Sequence, residues 1–391
     1  MKKKRIYAWD YIRVLAMLAI IVFHWNQFRY AQSIDGPNIF LMDFPGGNVA
    51  MFGVSFFFIL SGASLMLTTE KGLTLWPFYK KRWLSIYPLF YTAYAFIFIY
   101  YYVIRHGDPG GTASGYIWTL LGMDGYLNEV VSTQYLVGEW FVGCIVLIYL
   151  VYPLLRLGVL KKPVVTVAVT TIIFVLLNLY YPFEMSRTHF FVMRIPEVLL
   201  GMFLCRGLYP GGQRSEAFYK PKVVVPAIVL SGAVFLVTIL VPLPMHELIV
   251  SIFMGVSGFI FLLFLFESVT SLGQRFHGAR GAECESPDAL AEKEVVASNK
   301  FGKSGRKCVI GFVNRLIVRL SELSFAMFLL HHALIGDYMV KYAGGILSAR
   351  HQYVLFAIYF VVLVVVAFVA TKVSRFVVKS IGRAMTHFSF S

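Results

Sequence analysis

Two side chains that can do chemistry, Arg13 and His24, lie in one long apolar stretch, WDYIRVLAMLAIIVFHWNQF. In an α-helix their spacing corresponds to roughly 16 Å and about three turns, so both fall on nearly the same face. Imidazole is a suitable base near neutral pH, and Arg13 supplies a permanent positive charge. Asp10 can pair with Arg13 on that face. Ionisable residues inside an apolar helix are expensive, so this face is a candidate functional site.

Each of these residues also has an ordinary structural explanation. Arg13 can extend to the cytoplasmic interface, paired with Asp10 and without a ligand. His24 can form a hydrogen bond to a neighbouring helix. The two together, near opposite ends of one face, are rarer than either alone. A polar track across the membrane would need such a pair.

Other apolar segments also carry polar or aromatic candidates. These are Ser61, Arg82, Glu139, Trp140, Arg194 and His331. For Arg82 and Trp140 the ordinary alternative is anchoring at the membrane interface. For Ser61 it is close packing among small residues. For Arg194 it is an ion pair with Glu197, one helical turn later.

Two adjacent histidines, His331 and His332, occur in LSFAMFLLHHALI. Consecutive residues of a helix point in different directions, so we expect at most one of them to share a site with His24. Glu139 or His331 is the expected partner that orients the His24 ring.

The composition excludes a water-soluble globular protein. Hydrophobic residues make up 58% of the chain and charged residues only 14%, whereas soluble domains average about 25% charged. The mean hydropathy is +0.72. The net charge of +15 does not indicate nucleic-acid binding, because the basic residues lie between apolar blocks. The four cysteines lack the spacing of a metal site, so we expect no metal.

The apolar blocks predict an all-α integral membrane protein of about ten transmembrane helices, since one span needs about 20 residues. The expected spans are 11–28, 48–68, 84–104, 138–157, 163–181, 190–208, 223–242, 246–268, 319–336 and 352–374. Residues 115–127, GYIWTLLGMDGYL, are too short to span and are expected to lie at the membrane surface.

The distribution of Lys and Arg predicts that both termini are cytoplasmic. Cytoplasmic loops hold an excess of these residues, and most of the 35 fall at the two ends and in alternate connections. The longest connection, 269–318, is rich in Gly, Ser, Lys, Glu and Arg and is expected to be a flexible cytoplasmic loop. We therefore expect residues 1–391 to form a single transmembrane domain, with no second soluble domain.

Taken in order, these segments resemble the acyltransferase 3 family of membrane-bound O-acyltransferases, which modify bacterial surface polysaccharides and related glycoconjugates. The first helix resembles the family's opening pattern, Asp-x-x-Arg followed by ten residues and His, in Asp10, Arg13 and His24. WFVGCIVLIYLVYP resembles the family segment that begins with Trp and ends in Tyr-Leu-x-x-Pro. Further resemblances lie in GVSFFFILSG, FYKKRWLSIYP, RIPEVLLGMFLCRG and LSFAMFLLHH. The chain departs from many relatives at Ser85, where they have Arg, and from one large branch at Ile145, where it has Glu.

The resemblance implies transfer of an acetyl or other short acyl group from acyl-CoA to a hydroxyl of an extracytoplasmic or lipid-linked glycan. It also implies acetyl-CoA as co-substrate, membrane lipids as surroundings and the bacterial plasma membrane as location. His24 would activate the acceptor hydroxyl, and Arg13 would lie along the path of the donor. The remaining candidates would bind the donor or orient the catalytic groups. An acetyl-His24 intermediate is an open variant.

The alternative from another class is a transporter that moves a lipid-linked or acylated polysaccharide without acyl-transfer chemistry. Buried Arg and His also mark substrate paths and proton relays. Ten-span transporters often contain two related halves, and Arg13 and His24 have no counterpart pair in the second half of the sequence. A sensor or assembly protein that has lost activity is a third possibility, against which the intact Arg13 and His24 argue.

Overall fold

The computed structural model describes residues 5–34, 38–40, 43–104, 106, 113–134, 136–137, 140–278, 305–338 and 351–388. The described chain is almost entirely helical. Its helices are α1 (Tyr7–Ala31), α2 (Val49–Thr69), α3 (Leu75–Ile99), α4 (Tyr116–Leu121), α5 (Asp124–Leu127), α6 (Trp140–Lys161), α7 (Pro163–Leu179), α8 (Ile195–Leu208), α9 (Pro221–Leu240), α10 (Glu247–Gly278), α11 (Gly305–Tyr338) and α12 (Gln352–Phe388). Two short antiparallel strands, β1 (Asp43–Phe44) and β2 (Gly47–Asn48), precede α2.

Local sequence signals set where several helices begin. The side chain of Asn48 accepts hydrogen bonds from the backbone N–H groups of Ala50 and Met51, which caps α2. Pro163 and Pro221 stand at the first turns of α7 and α9. Proline is favoured there because its fixed φ suits a helix and the first turn does not need its N–H.

The helices confirm the prediction of an all-α membrane protein. Among the described residues, seven helices are long and apolar enough to cross a bilayer: α1, α2, α3, α6, α9, α10 and α12. Helix α7 is apolar but has only 17 residues. Helix α8 has 14 residues and follows a 3-10 turn at Phe191–Arg194. Each of the ten expected spans overlaps one helix of at least 14 residues, and α11 covers the ninth.

Two expectations about connecting segments can be compared with the structure. Residues 116–127 form the short helices α4 and α5, neither of which is long enough to span. Both ends of the predicted loop 269–318 are helical, because α10 continues to Gly278 and α11 begins at Gly305. A helix satisfies its own backbone hydrogen bonds, so it does not have to stop where the apolar segment ends and charged residues begin. Residues 279–304 lie outside the described part of the chain.

Helices α1 and α11 run parallel and in register. Arg13 donates a hydrogen bond to Ser321 at one end, and the His24 and His332 rings meet at the other. Both contacts join residues 308 positions apart in the sequence. A constant sequence offset over roughly 16 Å of helix means that the two helices cross in the same direction.

The directions of two other helix pairs follow from contacts of the same kind. Helices α2 and α6 are parallel, since Phe58 packs on Phe141 and Thr69 hydrogen-bonds to Tyr152, with the same offset of 83 residues. Helices α9 and α10 are antiparallel. There Gly232 faces Phe261, and further along Gly258 faces Phe235.

The closest helix contact is between α2 and α8, where glycines bring the backbones together. A Cβ on Gly62 would lie 2.0 Å from the carbonyl oxygen of Val198, and one on Gly201 would lie 1.9 Å from that of Ile59. Small residues at such positions permit the close approach that stabilises helix pairs in lipid.

We predict that Gly201→Ala destabilises the protein by about 1–3 kcal/mol, because the new methyl group would overlap the backbone of α2. Gly207→Ala, in the same helix, is the matched control, since its Cβ would meet nothing within 4 Å. The control should be neutral or slightly stabilising. Thermal unfolding in detergent, followed by tryptophan fluorescence, compares the two. Equal melting temperatures would show that the α2–α8 contact is not tight.

Candidate active site

Three imidazole rings meet where α1 faces α11. The ring centroid of His24 lies 4.1 Å from that of His332 and 5.1 Å from that of His331. Nδ1 of His24 and Nε2 of His332 are 2.8 Å apart. One of these nitrogens donates and the other accepts. When Nδ1 of His24 is the donor, Nε2 of the same ring carries a lone pair and can accept a substrate proton. His331 is buried, and the other two rings are half-buried.

The backbone fixes the proton position on His331. Its Nδ1 lies 2.6 Å from the carbonyl oxygen of Phe328. A carbonyl only accepts, so Nδ1 carries the proton and Nε2 of the neutral ring carries a lone pair. The hydroxyl of Tyr359 donates to the backbone oxygen of His331 and ties α12 to the same turn.

The expectation that only one of the adjacent histidines can approach His24 is wrong. Both rings pack within 5.1 Å of it. The α1–α11 seam lies between the directions of the two side chains, so each can turn towards His24 from its own side. His332, which was not among the predicted site residues, makes the nitrogen-to-nitrogen contact. The prediction that His331 orients His24 has ring packing in its favour.

At the other end of the same helix pair, charged groups converge on Asp10. Arg5 binds Asp10 through two nitrogens, at 2.7 and 3.1 Å, and Ser321 donates to the same carboxylate at 2.6 Å. Arg13 lies farther away, 3.5 Å from the carboxylate, and donates to Ser321 at 3.1 Å. The hydrogen bond to Asp10 raises the pKa of Arg5. Because Arg5 takes up most of the Asp10 charge, Arg13 keeps part of its positive charge uncompensated.

A cleft opens beside these residues. It has a volume of about 370 Å³ and is lined by Arg5, Ile6, Trp9, Asp10 and Arg13. Two of its lining residues are arginines and one is an aspartate, so the cleft favours an anionic ligand.

A third arginine reaches the same region from α3. The guanidinium of Arg82 lies 5.7 Å from the ring centroid of Tyr149 and 5.8 Å from that of Phe78. Arg82 and Arg13 both lie close enough to the hydroxyl of Tyr149 to interact with it electrostatically. Tyr149 on α6 therefore stands between two arginines. Two guanidinium groups on either side of a hydroxyl can bind a phosphate, which accepts hydrogen bonds from both.

Between the two ends, the face shared by Arg13 and His24 is apolar. Met17 and Ile20 occupy it and are 1% and 3% exposed. The expected polar track is therefore polar at its ends and closed by apolar side chains in its middle. Methionine has a flexible, unbranched side chain and can move aside for a ligand at lower cost than a β-branched residue.

Trp140 and Arg194 lie together in a third group of polar and aromatic side chains, apart from the histidines and from the charged groups around Asp10. The guanidinium of Arg194 is 5.5 Å from the Trp140 ring centroid and 3.4 Å from the Glu197 carboxylate. His189 stacks on Trp140 at 4.4 Å and pairs with Glu129 at 2.9 Å. The ion pair expected for Arg194 is thus present, and it is 3% exposed.

Aromatic rings connect this group to the histidines. Trp140 packs near Phe141 at 6.3 Å, Phe141 contacts Phe328 at 5.4 Å, and Phe328 contacts His331 at 5.6 Å. The structure therefore relates Trp140 and Arg194 to the His24 end of α1 rather than to the Arg13 end.

The remaining predicted residues lie elsewhere. The hydroxyl of Ser61 donates to the carbonyl oxygen of Phe57 in its own helix, at 2.7 Å. Glu139 lies outside the described residues. The sequence alone assigned no site role to Ser321, Tyr149 or His332. The adjacency of two histidines in an apolar helix was the available signal for His332.

The geometry defines a class of protein: a polytopic membrane protein with a histidine cluster near one end of a helix pair and arginines at the other. The model of the acyltransferase 3 family, described as an acyltransferase domain, matches residues 6–372. The chain belongs to this family and is a membrane acyltransferase. Searches of curated proteins and of solved structures found no match.

We predict that a disulfide forms between Asp10→Cys and Ser321→Cys in a chain whose four native cysteines are replaced by alanine. The side-chain oxygens of these residues are only 2.6 Å apart. A small movement of the two helices towards each other would therefore bring the shorter cysteine side chains to bonding distance. The control pairs Asp10→Cys with Arg319→Cys, whose native side chain is 77% exposed. Mass spectrometry of non-reduced peptides after mild oxidation should find the first cross-link and not the second. The reverse result would contradict the register of α1 and α11.

Proposed function

We propose that the protein is an O-acyltransferase that moves an acetyl or other short acyl group from acyl-CoA to a hydroxyl of an extracytoplasmic or lipid-linked glycan. The observation that carries this proposal is the His24–His332 contact at one end of the α1–α11 pair, with Arg13 and Ser321 at the other end. A base and an anion-binding group thus stand about 16 Å apart on one helix.

The proposed topology is ten spans with both termini cytoplasmic, in a bacterial plasma membrane. The helix directions support it. In this topology spans one and nine run the same way, as α1 and α11 do, and so do spans two and four, as α2 and α6 do. Spans seven and eight run opposite ways, as α9 and α10 do. Arg13 then lies near the cytoplasm and His24 near the outer side.

Acyl-CoA would enter from the cytoplasm. Its phosphates would bind Arg13, Arg82 and Tyr149, and the cleft beside Arg5 and Asp10 supports an entrance at this point. The acyl-bearing arm would pass along the Arg13 face and displace Met17. This order places the thioester towards His24 and keeps the charged part of the donor in water.

The chemistry would use His24 as the general base. Nε2 of His24 takes the proton of the acceptor hydroxyl while its oxygen attacks the thioester carbonyl. The tetrahedral adduct then expels the CoA thiolate, which takes the proton back from the imidazolium. His332, held to Nδ1 of His24, fixes the orientation of the ring and shares the positive charge that forms on it.

The group formed by Trp140, Arg194 and His189 would lie on the side of the membrane from which the acceptor enters. Trp140 and Arg194 connect through Phe141 and Phe328 to His331. The Trp140 ring is already in contact with His189 and with Arg194. In this scheme Trp140 therefore has a structural role: it packs beside the histidine cluster and keeps the neighbouring side chains in place.

We predict that His24→Ala lowers acyl transfer by about 10²–10⁴-fold, the usual contribution of a general base. His332→Ala should cause a smaller loss, on the order of tenfold, because the base remains but loses one hydrogen bond. His246→Ala, which removes a histidine that only caps the start of α10, is the control. The assay follows thiol release from acetyl-CoA by purified protein in nanodiscs, with a panel of glycan acceptors.

Three results would contradict the proposal in different ways. Full activity in His24→Ala would remove His24 as the base. If His24→Ala kept its activity and His332→Ala lost it, His332 rather than His24 would be the general base. Binding of a lipid-linked glycan without binding or turnover of any acyl-CoA would favour the transporter alternative.

We predict that Arg82→Gln raises KM for acyl-CoA by roughly tenfold with little change in kcat, because one charge-assisted contact to the donor is lost. Arg187→Gln is the matched control, since Arg187 also lies over a tyrosine ring, 5.4 Å from the centroid of Tyr181. Initial rates at varied acyl-CoA concentration separate KM from kcat. Equal KM values for the two variants would place the donor site elsewhere.

A further inference from the structure

The three imidazoles beside α1 form a constellation with the properties of a metal site. One potential ligand nitrogen from each of His24, His331 and His332 can be chosen so that all three lie within 4.8 Å of one another. They come from two parallel helices that are tied together at both ends, so their positions are set by the fold rather than by one mobile loop.

The proton positions suit metal binding. Because His331 donates its Nδ1 proton to the carbonyl oxygen of Phe328, its Nε2 has a lone pair. A backbone carbonyl on the second ring nitrogen is the arrangement that orients histidine ligands in metalloproteins. His24 and His332 already share one proton between Nδ1 and Nε2. A metal ion can take the place of that proton.

To bind Zn²⁺, the ligand nitrogens would have to change their separations by between about half an ångström and about 1.5 Å. Zn–N bonds of about 2.0–2.1 Å in a tetrahedron place ligand nitrogens about 3.3 Å apart. The His24–His332 pair, at 2.8 Å, would open by about half an ångström, and His331 would close towards it. Three histidines leave the fourth position of Zn²⁺ for water or an acceptor oxygen.

We propose that His24, His331 and His332 form a reversible Zn²⁺ site whose occupation blocks acyl transfer. When the ion binds Nδ1 of His24 and Nε2 of His332, the shared proton moves to the outer nitrogen of the ring that carried it. If that ring is His24, its Nε2 becomes protonated and can no longer accept the hydroxyl proton. If it is His332, Nδ1 of His24 was the acceptor and Nε2 of the neutral His24 ring already carries a proton. The ion on Nδ1 then prevents the proton exchange that would free Nε2 to act as a base. The proposed Zn²⁺ site does not depend on the proposed function, whereas inhibition by Zn²⁺ rests on the proposed role of His24 as the base.

The first experiment measures binding without using activity. Wild-type protein without a histidine tag, in nanodiscs, is titrated with Co²⁺, and the visible d–d absorption of a low-symmetry Co²⁺ site is recorded. We expect one Co²⁺ per protein and displacement by Zn²⁺. His24→Ala, His331→Ala and His332→Ala should each weaken binding by at least about 100-fold, and His246→Ala should bind as the wild type does. Size-exclusion profiles confirm that each variant is folded.

Two outcomes of this titration would overturn the site. One is the lack of a d–d band in the wild type. The other is a band that persists in all three folded histidine variants, since the ion would then bind elsewhere. In either case, loss of acyl transfer in His24→Ala would still support the proposed function.

The second experiment measures inhibition. Acylated acceptor is quantified by mass spectrometry, because the CoA thiol released in the reaction itself binds Zn²⁺. We expect saturating Zn²⁺ to reduce transfer by the wild type and by His246→Ala more than tenfold. The inhibition constant should equal the Zn²⁺ dissociation constant, and EDTA should restore activity. Undiminished transfer with the site occupied would leave the metal site in place but overturn the assignment of His24 as the base.

Discussion

The in-register, parallel contact between α1 and α11 is the constraint on which the site depends. It brings His332 to His24 and Ser321 to Arg13 with one sequence offset of 308 residues. If α11 slid along α1 by a single turn, about 5.4 Å, both contacts would be lost together. The polar groups at the two ends therefore fix the register, and the apolar face between them supplies packing. In lipid, hydrogen bonds between helices add to packing as a source of such specificity.

This arrangement places two kinds of chemical group, charged side chains and imidazoles, at opposite ends of one helix pair. One end has the charges, in Arg5, Asp10 and Arg13, beside a cleft that suits an anionic ligand. The other end has imidazoles, which can gain and lose a proton near neutral pH. Buried apolar side chains close the face between them. In the proposed reaction, this apolar segment would keep water away from the thioester, and the acyl-bearing arm of the donor would have to displace it on binding.

The rest of the bundle holds this pair in place. Helices α2 and α8 approach so closely that Gly62 and Gly201 leave no room for a side chain. Arg194 and Trp140 extend that contact to α6, and Phe141 and Phe328 connect it to the histidine cluster. A site built on packed helices keeps its catalytic groups at fixed distances, which proton transfer requires.

The sequence by itself determined the membrane class, the positions of the long helices and the pairing of Asp10 with Arg13, because hydropathy and helical spacing are local properties. It also placed Arg13 and His24 at opposite ends of one face. Only the tertiary structure decided that His331 and His332 both reach His24, that Tyr149 lies between Arg13 and Arg82, and that Ser61 bonds within its own helix. These contacts depend on how each helix is rotated and shifted against its neighbours. In an apolar bundle that choice is made by packing across distant segments, which no local pattern of residues records.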